Sequence, residues 1–333
     1  MKIQNYVSGV LGAMAKGLFA TLIMGTIIRQ VGIIADIYML RELGQVAMFL
    51  MGPAIAGAVA MERGAKTFTV LSAAVVGAVG AGSVSMSMGG GWMIAVGEPV
   101  GALLAGIVAA EVGRLIEGRS KFDLMIVPVV VILAGGFVGL TLAPYVAAAL
   151  TAVGAFINNL TTLQPLTMGI LIAVTVGMAL TGPISSAALC IAIGIDGLAA
   201  GAALAGGAAQ MVGFAVASFR ENKFSGLISQ GLGTSMIQFP NIVRNPLIWV
   251  PPIIASAVGG GLSTMVFRME TTSVGAGMGT SGLVGQFTTY AVMGEASLIP
   301  MALLHFVIPA VVSLAVTEFM RTRNWIRLGD MQL

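Results

Sequence analysis

Long apolar runs alternate along this chain with short clusters of charged residues. Each run is close to the roughly 20 residues that an α-helix needs to cross a bilayer. The pattern predicts an all-α polytopic membrane protein with about 10–12 membrane segments. Ten of these are predicted as apolar spans, at about 12–34, 44–61, 67–88, 93–113, 123–145, 147–163, 167–190, 196–219, 246–267 and 297–319.

Two further stretches, 224–243 and 273–293, are rich in Gly, Ser, Thr and Gln. They are too polar for a helix that faces lipid and too apolar for a loop in water. Irregular backbone at membrane depth is tolerated only where it is buried in protein or lines a cavity. Both stretches are therefore predicted to be re-entrant or broken segments.

The composition excludes a soluble protein. Of the 333 residues, 57% are hydrophobic and only 9% are charged, whereas soluble domains carry about 25% charged residues. The net charge of +3 indicates an asymmetry between loops, not a nucleic-acid surface. Cys190 is the single cysteine, which excludes a disulfide framework and a cysteine zinc site.

The basic residues predict the orientation of the chain. If Lys2 is cytoplasmic and every segment crosses, only Arg41 and Arg244 fall in outer connections, with Arg29 near an outer helix end. Such a bias is what the positive-inside rule demands, so both termini are predicted to be cytoplasmic. The basic residues that fall inside are Arg63, Lys66, Arg114, Arg119, Lys121, Arg220, Lys223, Arg268, Arg321, Arg323 and Arg327.

The single membrane domain, 1–333, contains an internal repeat. A shift of 130 residues aligns 48–77 with 178–207, with coincident glycines and prolines in the same order. A shift of 123 residues then aligns 123–141 with 246–264. Repeat one is predicted at about 10–143 and repeat two at about 144–270, followed by a re-entrant segment and last helix at about 271–320.

The two repeats are predicted to be inverted, because each contains five spans and an odd number reverses the entry side of the second copy. Inverted repeats place a substrate site near the midplane, between the halves, and make alternating access a natural motion. A duplicated scaffold that moves nothing is the alternative.

Glu98 is the first candidate for a functional side chain, in the string VGEPVG. Ionisable groups at membrane depth are costly and are functional candidates for that reason. The carboxylate could accept hydrogen bonds from substrate hydroxyls or act as a general base. Since Pro99 suits the first turn of a helix, a cap at the membrane surface is the simpler alternative.

Two related strings supply the other polar candidates. Gly-x-Gly-Thr-Ser occurs at 231–235 and again at 277–281. Their exposed backbone groups, hydroxyls and amides suit a neutral ligand with many hydroxyls, although flexible connections would have the same composition. The predicted substrate-binding residues here are Gly231, Gly233, Thr234, Ser235, Gln238, Asn241, Asn245, Gly279, Thr280, Ser281 and Gln286.

His305, the only histidine, lies in the last apolar span between Pro300 and Pro309. It is a candidate for a proton or substrate role, and a packing role is the alternative. No Walker motif, HExxH, GxSxG or dinucleotide fingerprint occurs, so no cofactor or metal is predicted. No certain catalytic residue is assigned; Glu98 and His305 are the candidates.

The strings GLGTSMIQFPNIVRNPLIWVPPIIAS and FRMETTSVGAGMGTSGLVGQ resemble the EIIC membrane components of bacterial sugar phosphotransferase systems. The similar group includes regulator proteins of the PfoR type. The resemblance implies a homodimeric sugar permease of the bacterial cytoplasmic (inner) membrane, served by cytoplasmic EIIA and EIIB partners. It also implies that Glu98, in a Gly-Glu-Pro element, contacts the sugar; His305 is a weaker match.

The leading hypothesis is therefore a sugar or polyol permease that takes part in phosphotransfer only with EIIA and EIIB. A non-transporting sensor or regulator of the PfoR type is one alternative. A secondary transporter or channel for another small solute, with Glu98 or His305 in proton coupling, is the other. Composition does not separate the three.

Overall fold

A computed structural model describes residues 2–86 and 90–333. The chain divides into two compact units, Met1–Ala149 and Leu150–Leu333. The helices of the first unit are α1 (Lys2–Leu18), α2 (Met24–Ile34), α3 (Tyr38–Phe49), α4 (Met51–Glu62), α5 (Thr67–Ala81) and α6 (Pro99–Ile116). Helix α7 (Asp123–Leu160) begins in the first unit and ends in the second.

The second unit has more and shorter elements. Its α-helices are α8 (Pro165–Thr181), α9 (Ser186–Ile193), α10 (Gly197–Ala217), α11 (Phe219–Ile228), α12 (Phe239–Arg244), α13 (Val250–Met265), α14 (Ser273–Ala276), α15 (Val284–Met293), α16 (Leu298–Ala302) and α17 (Ile308–Thr322). Single π-helical turns occur at Phe19–Ile23, Ser229–Gly233 and Leu303–Val307, and 3₁₀ turns at Ser235–Gln238, Pro246–Trp249, Ser281–Leu283 and Gly294–Ser297.

Within the described ranges, six helical stretches are long and apolar enough to cross a membrane. They are Gly9–Ile34, Pro99–Ile116, Asp123–Leu142, Gly197–Ala217, Pro246–Met265 and Ser281–Thr322, and the bent pair α3–α4 would make a seventh. Shorter apolar helices lie at Thr67–Ala81, Ala148–Leu160 and Pro165–Thr181. The all-α polytopic prediction is confirmed, while the full-length spans are fewer than the 10–12 predicted segments.

The predicted span 67–88 is wrong at its C-terminal end. Helix α5 stops at Ala81, and Gly82 follows in the left-handed conformation with φ of +66°, which glycine adopts at little cost. Strands β1 (Val84–Met86) and β2 (Trp92–Ile94) then form an antiparallel hairpin. Positions 87–88 of the predicted span lie outside the described residues, and the span predicted from 93 begins in β2, not in a helix.

Two other predicted spans are interrupted at Gly-Pro pairs. The span 44–61 bends by 51° between α3 and α4, just before Gly52-Pro53. The span 167–190 ends its first helix at Thr181, where Gly182 is extended, with ψ of 171°. A residue that precedes proline is forced away from the helical region, which accounts for the second break.

Glycines set the close packing of the helices in both units. A Cβ atom on Gly77 of α5 would lie 2.2 Å from the carbonyl oxygen of Gly52 on α4. In the second unit, a Cβ atom on Gly260 of α13 would lie 2.2 Å from the carbonyl oxygen of Gly169 on α8. Helix α10 packs against α8, α13 and α17 and is almost entirely buried. Small residues allow membrane helices this approach.

Candidate functional site

The two segments predicted to be irregular are both broken in the structure. Residues 229–245 consist of a π-helical turn, a 3₁₀ turn and the short helix α12, and 273–293 consists of α14, a 3₁₀ turn and α15. Between these elements, backbone groups leave the helical hydrogen-bond ladder. Buried side chains supply the missing partners, which gives the second unit its polar interior.

The two Gly-x-Gly-Thr-Ser strings meet through Thr280. Its hydroxyl donates a hydrogen bond to the carbonyl oxygen of Gly231. Gly279 has φ of +55°, and a Cβ atom there would lie 2.8 Å from the carbonyl carbon of Gly207 on α10. Residues that are 49 positions apart in the chain are therefore brought together against α10.

Gln286 and His305 form the second part of this cluster. The Gln286 Nε2 atom lies 3.2 Å from His305 Nδ1 and donates to the carbonyl oxygen of Gly279 at 3.3 Å. His305 is fully buried, on the π-helical turn Leu303–Val307. Such turns occur frequently at functional sites. Among the described residues, His305 Nε2 and Gln286 Oε1 have no hydrogen-bond partner.

We call Gly231, Gly279, Thr280, Gln286 and His305 the Thr280–His305 cluster. All five are predicted site residues, drawn from three separate parts of the sequence. Its two unpartnered polar atoms are buried, and such atoms are costly unless something binds them. The cluster can therefore offer hydrogen bonds to a small polar ligand.

Ser235 belongs to a neighbouring network that the sequence did not predict. Its hydroxyl lies 2.7 Å from that of Thr181, which donates to Gln210 Oε1 at 3.0 Å. The Trp249 indole also donates to Gln210 Oε1, at 2.8 Å, and Gln210 Nε2 donates to Ser256 at 3.2 Å. A lone glutamine in the Ala- and Gly-rich helix α10 was the sequence signal for this network, since amides are rare in such helices.

Gln238, Asn241 and Asn245 bind the chain itself. Gln238 and Asn241 donate to the carbonyl oxygens of Met331 and Gln332, at 2.8 and 2.9 Å, and Asn245 donates to an Asp330 carboxylate oxygen at 2.8 Å. Their predicted role in substrate binding stays a prediction, because in this conformation their amide donors serve residues 330–332.

The other predicted site residues of the two Gly-x-Gly-Thr-Ser strings make mainly local contacts among the described residues. Thr234 accepts a hydrogen bond from the amide of Met236 at 3.2 Å, which caps the 3₁₀ turn. Gly233 ends the π-helical turn, and Ser281 begins the 3₁₀ turn that leads into α15; both are buried. These residues shape the backbone around the Thr280–His305 cluster.

Glu98 lies in the first unit, directly before α6, whereas the other twelve candidates lie in the second. Its backbone amide donates to the carbonyl oxygen of Ala81 at 2.8 Å, and the residue is half-buried. The preceding Gly97 has φ of +81°. Glu98 is the N-cap residue of α6, and its side chain makes no capping hydrogen bond to the first turn of that helix. Both the substrate-binding role and the role as a charged cap stay predictions.

The described residues contain no group of three or more His, Cys, Asp or Glu side chains that could hold a metal ion. In a comparison with protein families, the model described as "Phosphotransferase system, EIIC" matches residues 8–333. No curated protein and no solved structure matches the chain significantly. The family match covers both compact units and every candidate residue named above.

Proposed function

Because the chain belongs to the phosphotransferase-system EIIC family, we propose that it binds a sugar or sugar-like polyol and carries it across the membrane by alternating access. Membership implies, in general, sugar substrates and EIIA and EIIB partners in a bacterial membrane. Phosphorylation of the sugar would be carried out with those partners.

The Thr280–His305 cluster is the observation that supports a substrate-binding site in this protein. It combines a hydroxyl, an amide, an imidazole and backbone carbonyls from three broken elements. Sugars are recognised by such neutral donors and acceptors, placed in a buried pocket with few charges. We propose that Gln286 Oε1 and His305 Nε2 bind the hydroxyl groups of the substrate.

Alternating access is supported by a local likeness between the aligned repeats. Gly64 and Gly194, which the shift of 130 residues pairs, have φ of +70° and +63°. Each donates its amide to the residue three positions back, at 2.9 and 3.1 Å, and the next residue bonds five positions back, at 3.0 and 3.2 Å. The helices that follow begin at Thr67 and Gly197, again 130 residues apart. We propose that the repeats are inverted, since each is predicted to contain an odd number of spans, and that the protein is a homodimer, as the resemblance implies.

A binding screen in detergent tests the proposed substrate class. Purified protein would be titrated with hexoses, amino sugars, disaccharides and hexitols, with thermal unfolding and calorimetry as readouts. At least one compound should stabilise the protein, and Gln286→Ala and His305→Ala should each lose that response. Asn159→Ala, at an exposed position of the same unit, should keep it. A panel without any binder, or one bound equally by all variants, would contradict the proposed site.

A further inference from the structure

The chain folds back on itself after its last helix. Helix α17 ends at Thr322, Asn324 turns the backbone with φ of +57°, and residues 324–333 then lie along the segment 222–245. We call residues 324–333 the strap. Four amide side chains, which we call the amide row, bind it: Asn222, Gln238, Asn241 and Asn245. The Glu221 carboxylate also accepts a hydrogen bond from the Gly329 amide, at 3.4 Å.

The amide row binds mainly the backbone of the strap. Met331 O accepts from both Asn222 and Gln238 at 2.8 Å, and Gln332 O accepts from Asn241 at 2.9 Å. Asn222 Oδ1 in turn accepts from the Leu333 amide at 2.9 Å. Hydrogen bonds to main-chain groups are a recurring part of peptide recognition.

Only two strap side chains are anchored in apolar surroundings. Ile326 and Met331 are buried, with 1% and 0% of their surface exposed, whereas Trp325, Leu328 and Leu333 are exposed. A segment held mainly by side-chain hydrogen bonds, with only two buried apolar side chains, has few buried apolar contacts, and such segments open locally without global unfolding. The strap therefore has the properties of a bound peptide that can be released.

A continuous series of contacts links the amide row to the Thr280–His305 cluster. Gln238 donates to Gln230 Oε1 at 3.0 Å, and Gln230 lies in the π-helical turn Ser229–Gly233. The next residue, Gly231, accepts the hydrogen bond from Thr280. Release of the strap would remove a partner of Gln238 and so loosen the turn that positions Gly231.

We propose that the strap is a regulatory segment: when bound, it holds the turn 229–233 against the Thr280–His305 cluster, and its release permits the movement that transport requires. The inference rests on the proposed permease function and adds a regulation of the same site. A bound strap shifts the equilibrium between two conformations only because it binds one of them better. Substrate binding should therefore change strap release in return.

A reversible cross-link tests whether release is needed. Asn245 and Asp330, whose side chains are 2.8 Å apart, would both be replaced by cysteine in a Cys190→Ala background. Oxidation should lower sugar uptake into proteoliposomes by roughly tenfold or more, and reduction should restore the rate. Each single-cysteine variant should be unaffected by the oxidant. Uptake at an unchanged rate in the oxidised double variant would overturn the proposal.

Thiol labelling tests the strap without any sugar, so its failure is distinct from failure of the permease function. Met331→Cys should react slowly with a maleimide, and Leu328→Cys, which is exposed, should react fast. Adding Asn241→Ala should speed labelling at 331 by roughly tenfold, the effect of losing about one hydrogen bond, and leave 328 unchanged. Equal rates at 331 with and without Asn241→Ala would show a fixed part of the fold and overturn the proposal.

Discussion

Buried hydroxyl groups of this protein differ sharply in what they bind. Thr181 lies within hydrogen-bond distance of Gln210 and Ser235, at 3.0 and 2.7 Å. Thr317 is equally buried, but its hydroxyl has no partner among the residues that the structure describes. Removing a satisfied buried group costs far more than removing an unsatisfied one.

Replacing each of these two threonines by valine should therefore change the free energy of unfolding differently. Thr181→Val should lower the free energy of unfolding by about 1–3 kcal/mol, since it removes a buried hydroxyl that bonds to both Gln210 and Ser235. Thr317→Val should be neutral or stabilising. Thermal unfolding in one detergent compares the pair, and an equal loss in both variants would contradict the hydrogen-bond assignment.

Glu98→Gln tests the one acidic candidate in the first unit. The substitution keeps the size of the side chain and removes its charge, so a carboxylate that accepts hydroxyl hydrogen bonds loses its strongest acceptor. Substrate binding or uptake should be abolished in a protein that still elutes as a folded species. Glu42→Gln, at an exposed position, is the control. Unaltered saturable uptake would remove Glu98 from the site.

Residue types predicted which polar groups are buried better than they predicted the partners of those groups. The repeated Gly-x-Gly-Thr-Ser string and the lone histidine identified Thr280 and His305, because polar groups are rare at membrane depth. The pairing of Gln238 with Met331, 93 positions away, has no sequence signal, since nothing in a short polar segment tells which amide it will meet. Gln210, a lone amide in α10, had a sequence signal, but its pairing with Thr181 had none.

At the scale of elements, hydropathy located the apolar stretches but not their interruptions. The total hydropathy of a segment is the same whether it forms one straight helix or a helix that ends before Gly82 and is followed by a hairpin. Alternation of serine with apolar residues at 83–86 is the period of a strand, and it was the available signal for β1. Gly-Pro at 182–183 likewise marked the break after α8.

Helix packing in the first unit can be tested with two glycines. Gly77→Ala would place a Cβ atom 2.2 Å from the Gly52 carbonyl oxygen and should destabilise by about 1–3 kcal/mol or more, because α4 and α5 must separate. Gly57→Ala meets nothing within 4 Å and should be neutral or stabilising by about 0.5–1 kcal/mol. Unfolding midpoints compare the two, and tolerance of alanine at 77 would contradict the packing.

At the scale of the whole molecule, the proposed inverted repeat makes a directional prediction. Lys66 and Asp196 are paired by the shift of 130 residues, and both are exposed just before a helix. In a Cys190→Ala background, Lys66→Cys and Asp196→Cys should react with an impermeant maleimide from opposite sides of the membrane. Labelling from the same side would contradict an inverted topology.

Composition and hydropathy sufficed for the class of protein, and the residues of the two polar strings sufficed for the family. The two broken segments of the second unit followed from their polarity, but the strap did not, because it depends on contacts between distant residues such as Asn245 and Asp330. The bias of basic residues toward one side predicts that both termini are cytoplasmic. Labelling at residues 66 and 196 would test that prediction as well.

The measurement that tests the permease function most directly is uptake of labelled sugar into proteoliposomes that contain the protein. EIIA and EIIB are supplied on the cytoplasmic side of the protein, together with the enzymes that pass them phosphate from phosphoenolpyruvate. Uptake should be saturable, should deliver sugar phosphate, and should be lost in His305→Ala. Binding of the same sugar with no uptake under any of these conditions would contradict transport and favour a membrane sensor.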